Sequence, residues 1–276
     1  MVLVVGGGTM GAGIAQVLVR AGMRVTLCET DEDAAAAARG RVLDGLERPG
    51  DARADEAASL LDVSLLDVVV GIPERPETDL AVEAVFEEVG LKREVLAALE
   101  SRVGDDALIA SNTSSLSIGS LATALRRPRR FLGMHFFNPV PRSSLVELVT
   151  GPDTDSRTLD RARDLVRRLG KEEIVVRDSP GFATSRLGVA IGLEAIRMLE
   201  EGVASADDID RGMVLGYRFP MGPLRLTDLV GLDVRLAIAS YLERTLGERF
   251  APPRLLREKV ARGELGKKTG QGFFTW

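Results

Sequence analysis

The sequence predicts an α/β fold over its longer first part and an all-helical fold over the remainder. Three observations predict it. Short apolar runs alternate with stretches of helical period up to Asp178. A glycine-rich turn, Gly6-x-Gly8-x-x-Gly11, joins the first apolar run to the first helical stretch. After Asp178-Ser179-Pro180-Gly181 the periods become almost entirely helical. Proline disfavours helix in the residue before it and glycine loosens the chain, so the domain boundary is placed there, giving domains 1–178 and 179–276.

Taken in order, strands are predicted at Leu3–Val5, Arg24–Cys28, Asp67–Val70, Leu80–Val85, Ala107–Ala110, Phe131–His135, Leu145–Val149 and Glu173–Val176. These runs are short and apolar, as the strands of a parallel sheet covered on both faces are. Helices are predicted at Met10–Ala21, Asp31–Leu46, Leu91–Glu100, Ser117–Leu125 and Ser156–Leu169. The stretch Arg48–Ala58 is polar without a clear period and reads as a loop or short irregular helix. Beyond the boundary the helices are Phe182–Glu201, Ala206–Leu215, Leu224–Leu246 with a break at Gly231, and Pro253–Arg262. Only Gly272–Thr275 reads as extended. On the first of these helices Leu187, Ile191, Glu194, Ala195, Met198 and Leu199 form a mostly apolar stripe fit to pack on another helix.

Composition narrows the function. The chain has 276 residues, is 45% hydrophobic and carries a formal charge of −5, so it can bury a core and has no net attraction for nucleic acid or anionic membrane. One cysteine and one histidine exclude an internal disulfide and a zinc finger. A reducing, cytoplasmic setting is therefore expected, with no metal. The opening apolar run stops at Gly6 with no basic residue before it, and no run of about 18 apolar residues occurs. Neither a secretory signal nor a membrane span is expected.

The turn Val4-Val5-Gly6-Gly7-Gly8-Thr9-Met10-Gly11-Ala12 follows a strand and opens a helix. Its glycines permit a tight turn, close approach of backbone to a pyrophosphate, and close packing of helix on strand. The helix start at Thr9, Met10 and Gly11 then offers N–H groups to phosphate. Such turns also serve as plain connectors, but here Glu29 ends the second strand, eighteen residues beyond Gly11. A carboxylate there accepts hydrogen bonds from ribose hydroxyls and repels a 2′-phosphate, which points to NAD rather than NADP. The alternative is that Glu29 simply begins the acidic turn Glu29-Thr30-Asp31-Glu32-Asp33. The prediction is thus a Rossmann-like N-terminal dinucleotide-binding domain followed by an all-helical C-terminal domain.

The lone histidine lies in Gly133-Met134-His135-Phe136-Phe137-Asn138-Pro139, at a strand end, and Ser111-Asn112-Thr113-Ser114-Ser115 follows another strand. Ligands of open parallel sheets bind beyond the carboxyl ends of strands, so both segments point to the cofactor crevice. Oxidising an alcohol with NAD needs a base for the hydroxyl proton, and imidazole, with a reference pKa of about 6.5, suits it. Glu147, in Leu145-Val146-Glu147-Leu148-Val149, is the candidate to orient that imidazole. On pattern alone the favoured reading is an ordinary charge on an edge strand.

With Gly6–Ala15, Glu83-Ala84-Val85-Phe86-Glu87, Ser111–Leu116, His135–Pro141, Asp178–Phe182, Tyr217–Pro223 and Gly266–Phe273 in order along it, the chain resembles the L-3-hydroxyacyl-CoA dehydrogenases. The resemblance implies that His135 and Glu147 are the catalytic pair and that Ser114 acts on the substrate side. It implies cofactor contacts at Glu29, Glu87, Lys92, Ser114 and Asn138, an acyl-CoA substrate, and a homodimer. The pairing is expected through the C-terminal domain, whose apolar helices exceed what so small a domain can bury.

Two departures from the family stand out. Where the family carries an asparagine that contacts the substrate oxygen or the catalytic histidine, this chain has Ser185. A serine hydroxyl can preserve a contact to substrate, or it can merely cap its helix. The family's CoA-binding arm carries lysine, whereas Arg48–Thr78 has none. Arg39, Arg41, Arg48 and Arg53 could serve phosphate instead, or be solvated charges. These departures leave open a dehydrogenase of free hydroxy acids, as gulonate and carnitine dehydrogenases are, and a non-catalytic NAD(H)-binding protein.

Overall fold

The apolar runs become eight strands of a single sheet: Val2–Val5 (β1), Val25–Glu29 (β2), Leu66–Val70 (β3), Leu80–Glu83 (β4), Leu108–Ser111 (β5), Phe131–Phe136 (β6), Leu145–Thr150 (β7) and Glu172–Arg177 (β8). This computed structural model describes residues 1–47, 62–75 and 77–276. The predicted irregular stretch Arg48–Ala58, with Arg48 and Arg53, lies outside the described residues. Two units are distinguished, Met1–Asp178 and Ser179–Trp276.

In the first unit the strand order is β3-β2-β1-β4-β5-β6-β7-β8. β1 pairs in parallel with β2 on one side and β4 on the other, so the order reverses there. That reversal opens a crevice beyond the carboxyl ends of β1 and β4. The expectation of an all-parallel sheet is corrected in one place: β6 and β7 are antiparallel. The connection between Phe136 and Leu145 holds no crossover helix, and so short a return can only be antiparallel.

The helices of this unit are Thr9–Arg20 (α1), Glu32–Glu47 (α2), Val89–Arg102 (α3), Ile118–Ala122 (α4) and Ser156–Arg168 (α5). α3 starts earlier than its apolar period suggests because the Glu88 carboxylate accepts hydrogen bonds from the N–H groups of Gly90 and Leu91, at 2.8 and 2.6 Å. α4 stops at Ala122 instead of Leu125. The chain just beyond it is held elsewhere, the N–H groups of Arg126 and Arg127 donating to the buried Glu100 carboxylate.

The second unit holds Thr184–Glu200 (α6), Ala206–Tyr217 (α7), Pro223–Val230 (α8), Leu232–Leu246 (α9) and Arg254–Ala261 (α10). α8 and α9 part at Gly231, whose φ of 103° only glycine adopts without strain. The predicted stripe on α6 is corrected. Val189, Gly192, Leu193, Ala195 and Ile196 are the buried face, while Leu187 is 63% and Ile191 37% exposed. α8 and α9 pack on the side of α6 that carries glycine, where backbones approach more closely than large side chains allow. The segment Gly272–Thr275 is a turn, not a strand. Phe273 N–H, Phe274 N–H and Trp276 Nε1 all donate to the buried Asp228 carboxylate, at 2.8–2.9 Å. Among the described residues no helix is long and apolar enough to cross a membrane.

Candidate active site

The glycine turn occupies the carboxyl end of β1, at the reversal of strand order. Gly6 has φ +96°, and a Cβ on Gly11 would lie 1.7 Å from the Gly6 carbonyl oxygen, so α1 can start against the strand only with glycine at that position. Gly8 and Thr9 are exposed, and a Cβ on Gly8 would meet nothing within 4 Å. No side chain caps α1, so the N–H groups of Thr9, Met10 and Gly11 face the crevice as donors without a side-chain acceptor. A pyrophosphate fits this cradle: open space above the turn, an uncapped helix start, and no carboxylate within its first turn.

Glu29 ends β2, and its Oε1 accepts a hydrogen bond of 2.6 Å from Gly7 N–H. The carboxylate therefore braces the turn it is expected to complete. Arg41 Nη1 in turn donates to the Gly7 carbonyl at 2.9 Å, placing one of the proposed phosphate-binding arginines on the glycine turn itself. Arg39 lies exposed on the same helix.

Beyond β4 and β5 lies a network the sequence shows only in part. Lys92 is 1% exposed, and its ammonium donates to Glu83 Oε1 at 2.7 Å and the Val85 carbonyl at 3.1 Å, and pairs with Glu87 Oε2 at 3.3 Å. Two of its donors are thus hydrogen-bonded inside the protein. Lys92, expected as a cofactor contact, holds Glu83 and Glu87 in this arrangement. Burial pushes the Glu83 carboxyl above the usual carboxylate range, against the pull of the Lys92 ammonium and the hydrogen bonds from Lys92, Ser111 and Val85. Glu87 reaches across to the loop after β5, its Oε1 accepting from Thr113 Oγ1 at 2.7 Å and Ser114 N–H at 2.9 Å. The loop bearing Ser114 is thereby fixed from β4, with the Ser114 hydroxyl left without a hydrogen-bond partner among the described residues. Glu83 was legible by the same signal that marks Glu147, a carboxylate within an apolar run. Its partner Lys92, nine residues on across a turn, was not.

His135 and Glu147 form a directly opposed pair in the antiparallel register of β6 and β7. Opposed residues put their side chains on the same face, and Nδ1 of His135 lies 2.9 Å from Glu147 Oε2. Glu147 is fully buried and His135 5% exposed. The reading of Glu147 as an edge-strand charge is therefore corrected, since β8 lies on the far side of β7 and covers it. The His135 ring also lies tilted at 45° against that of Phe137, with centroids 4.4 Å apart. Asn112 Oδ1 accepts from Phe136 N–H at 2.9 Å, tying the loop after β5 to the end of β6. Asn138 stands exposed just past this strand.

The arrangement has the parts of a proton-transfer site: an imidazole whose Nδ1 is engaged by a buried carboxylate, at the strand ends that flank a nucleotide cradle. Ser185 lies apart in sequence, at the second residue of α6. No side chain caps that helix, so Ser185 is not its cap.

The family description "3-hydroxyacyl-CoA dehydrogenase, NAD binding domain" matches residues 1–179, and "3-hydroxyacyl-CoA dehydrogenase, C-terminal domain" matches residues 181–276. A 3-hydroxybutyryl-CoA dehydrogenase of Mycobacterium tuberculosis is 43% identical, covering 99% of this chain and 97% of its own. Human mitochondrial hydroxyacyl-coenzyme A dehydrogenase is 38% identical, covering 100% of this chain and 90% of its own. Among solved structures, (S)-3-hydroxybutyryl-CoA dehydrogenase PaaH1 from Ralstonia eutropha superposes with a TM-score of 0.90 at 38% identity, covering 100% of this chain and 98% of that one.

Proposed function

The chain belongs to the 3-hydroxyacyl-CoA dehydrogenase family and is an NAD-dependent oxidoreductase, and from that premise we propose that it oxidises an L-3-hydroxyacyl-CoA such as 3-hydroxybutyryl-CoA reversibly to the 3-ketoacyl-CoA, with His135 as the acid–base. The observation that carries this reading is the buried His135–Glu147 pair at 2.9 Å.

Glu147 accepts from Nδ1–H of the imidazole, which makes Nε2 the basic nitrogen. Nε2 takes the proton of the substrate hydroxyl as the C–H bond at the same carbon breaks and the carbonyl forms. NAD, bound at the glycine turn, supplies the hydride acceptor. The imidazolium that results is stabilised by Glu147, and in the reverse direction it returns the proton to the carbonyl oxygen. Ser114, held in place through Glu87, donates its hydroxyl to that oxygen. Glu29 holds the ribose, Glu87 and Lys92 meet the cofactor after β4, and Asn138 stands with Ser114 on the nicotinamide side. Ser185 contacts the substrate, in place of the family's asparagine.

The remaining features belong to the same proposal. A second copy of the chain pairs through the second unit, where Leu187, Ile191, Leu215, Tyr217, Leu226 and Leu229 are left exposed. A cytoplasmic place in fatty-acid metabolism suits the lone thiol Cys28, buried in β2 and pushed by that burial up to about 12.

Ser185 keeps a second reading in view, a dehydrogenase of free hydroxy acids. With NADH, acetoacetyl-CoA should be reduced and free acetoacetate should not. Reduction of acetoacetate alone would establish the second reading, and reduction of neither would leave an NAD-binding protein without this turnover. Glu29 supplies a separate check on the cofactor. Glu29→Ser should raise KM for NADH about tenfold, the order expected for losing a hydrogen bond to a charged group, while narrowing the preference over NADPH. An unchanged NADH/NADPH ratio in steady-state kinetics would remove Glu29 from the ribose site.

A further inference from the structure

Lys171, the residue before β8, is 8% exposed, yet among the described residues it takes part in no ion pair. Its ammonium donates to the Val140 carbonyl at 2.8 Å and to the Ser143 carbonyl. Burial holds this ammonium below the usual lysine range, with no carboxylate to offset it. Lysine is almost never buried without a paired charge, so the use of this one lies in the two carbonyls it holds. The local sequence places it. α5 ends on Gly170, at φ +67°, with Gly170 N–H donating to the Arg167 carbonyl at 3.0 Å and Lys171 N–H to the Val166 carbonyl at 3.1 Å. In this helix ending the residue after the glycine usually lays an apolar side chain back on the helix. Here that residue is a lysine, and its ammonium reaches the connection between β6 and β7 instead.

That connection carries Asn138, three residues beyond His135. β7 and β8 run antiparallel to β6, so the start of β8 lies at the same end of the sheet as the carboxyl end of β6, where His135 sits. From the β8 side the loop is held at three carbonyls, Val140 and Ser143 by the Lys171 ammonium and Ser144 by Glu172 N–H at 2.7 Å. Within it the Pro139 carbonyl accepts from the N–H groups of Arg142 and Ser143, both at 3.0 Å, which closes Pro139–Ser143 into one turn. On its other side Val140, 2% exposed, seats against α1, where a Cβ on Gly13 would lie 2.9 Å from the Val140 Cβ. α1 is the helix whose start forms the nucleotide cradle. The ammonium therefore pins the Asn138 loop between the cofactor helix and β8.

We propose that Lys171 is a positioning residue for the nicotinamide end of the cofactor: by holding the Val140 and Ser143 carbonyls it keeps the loop in the place from which Asn138 meets the nicotinamide. This rests on the proposed function, in which Asn138 stands on the nicotinamide side. Lys171 acts through the loop and touches no reacting atom. Without its ammonium two carbonyls of a tightly seated turn lose their donor, and the turn is held only through Val140 and Ser144.

Binding rather than turnover tests it, with two ligands. NADH is compared with ADP-ribose, which fills the glycine turn and the ribose site at Glu29 but carries no nicotinamide. Both are titrated calorimetrically against the full chain, Lys171→Met, Asn138→Ala and the double variant. The wild type should bind NADH at least about tenfold more tightly than ADP-ribose, the order that one or two net hydrogen bonds supply. Lys171→Met should lower that ratio by about threefold or more, the share of one hydrogen bond, with ADP-ribose affinity unchanged. Asn138→Ala should do the same, and the double variant should lose no more than either alone, because both act through one contact. Lys171→Gln, which leaves one carbonyl with a donor and so disturbs folding less, should give an intermediate ratio. An unchanged ratio in the Lys171 variants overturns the proposal, as does an equal loss for both ligands, which would mark a general role in stability. Equal affinities of the wild type for the two ligands, or additive losses in the double variant, overturn it too. An unchanged ratio in Asn138→Ala with a lowered one in Lys171→Met would instead remove Asn138 from the nicotinamide side and leave Lys171 as the anchor of its loop.

Discussion

Replacing His135 by glutamine is expected to lower kcat for acetoacetyl-CoA reduction by about 10²–10⁴, the range that a positioned acid–base contributes, with NADH binding nearly unchanged. Glutamine is the informative choice because its amide can still donate to Glu147. The buried carboxylate then keeps a partner, and the loss reports proton transfer rather than an unpaired charge in the sheet. No other imidazole exists in the chain to take over. Glu147→Gln should lower kcat in the same direction by a smaller factor, since the imidazole stays in place but loses the charge that stabilises its protonated form. NADH affinity by fluorescence titration, alongside steady-state kcat, is the measurement. Retained turnover in His135→Gln would sink the assignment of the base.

The second large effect is expected in stability. Lys92→Met should destabilise the first unit by about 3–5 kcal/mol, the usual consequence of removing one partner from a buried ion pair. Glu83, fully buried, would be left with a charge facing the methionine side chain, and Glu87 would lose the contact that helps hold it against Thr113 and Ser114. NADH binding should weaken as well, because Glu87 loses its support. The double variant Lys92→Met with Glu83→Gln should recover part of the stability, because no unpaired charge remains. Urea denaturation of the single and double variants reads this directly. A double variant no more stable than Lys92→Met would mean that packing, and not charge, sets the value of this pair.

The cofactor site was legible because its determinants are local. A strand, a turn of glycines and a helix are consecutive in sequence, and the excluded Cβ at Gly11 is a property of adjacent residues. His135 was legible for a similar reason, as the only imidazole and at a strand end. Glu147 was different. Its pattern allowed an edge strand, and only the order of β6, β7 and β8 shows it enclosed and opposite His135. Lys92 shows the opposite case: in sequence it is a cation after a strand, and only folding shows its ammonium buried against Glu83, Val85 and Glu87.

By itself the sequence determined the α/β and helical parts, the nucleotide turn with Glu29, and the candidate for the acid–base, since periodicity, glycine spacing and residue scarcity are all readable along one dimension. The tertiary structure alone decided which charges are buried and what faces them: Glu147 against His135, Lys92 against Glu83 and Glu87, Arg235 beside Gly188 and Gly192 with no ion pair among the described residues. The physical reason is that the cost of burying a charge depends on its neighbours in space, and those neighbours come from strands and helices far apart in the chain.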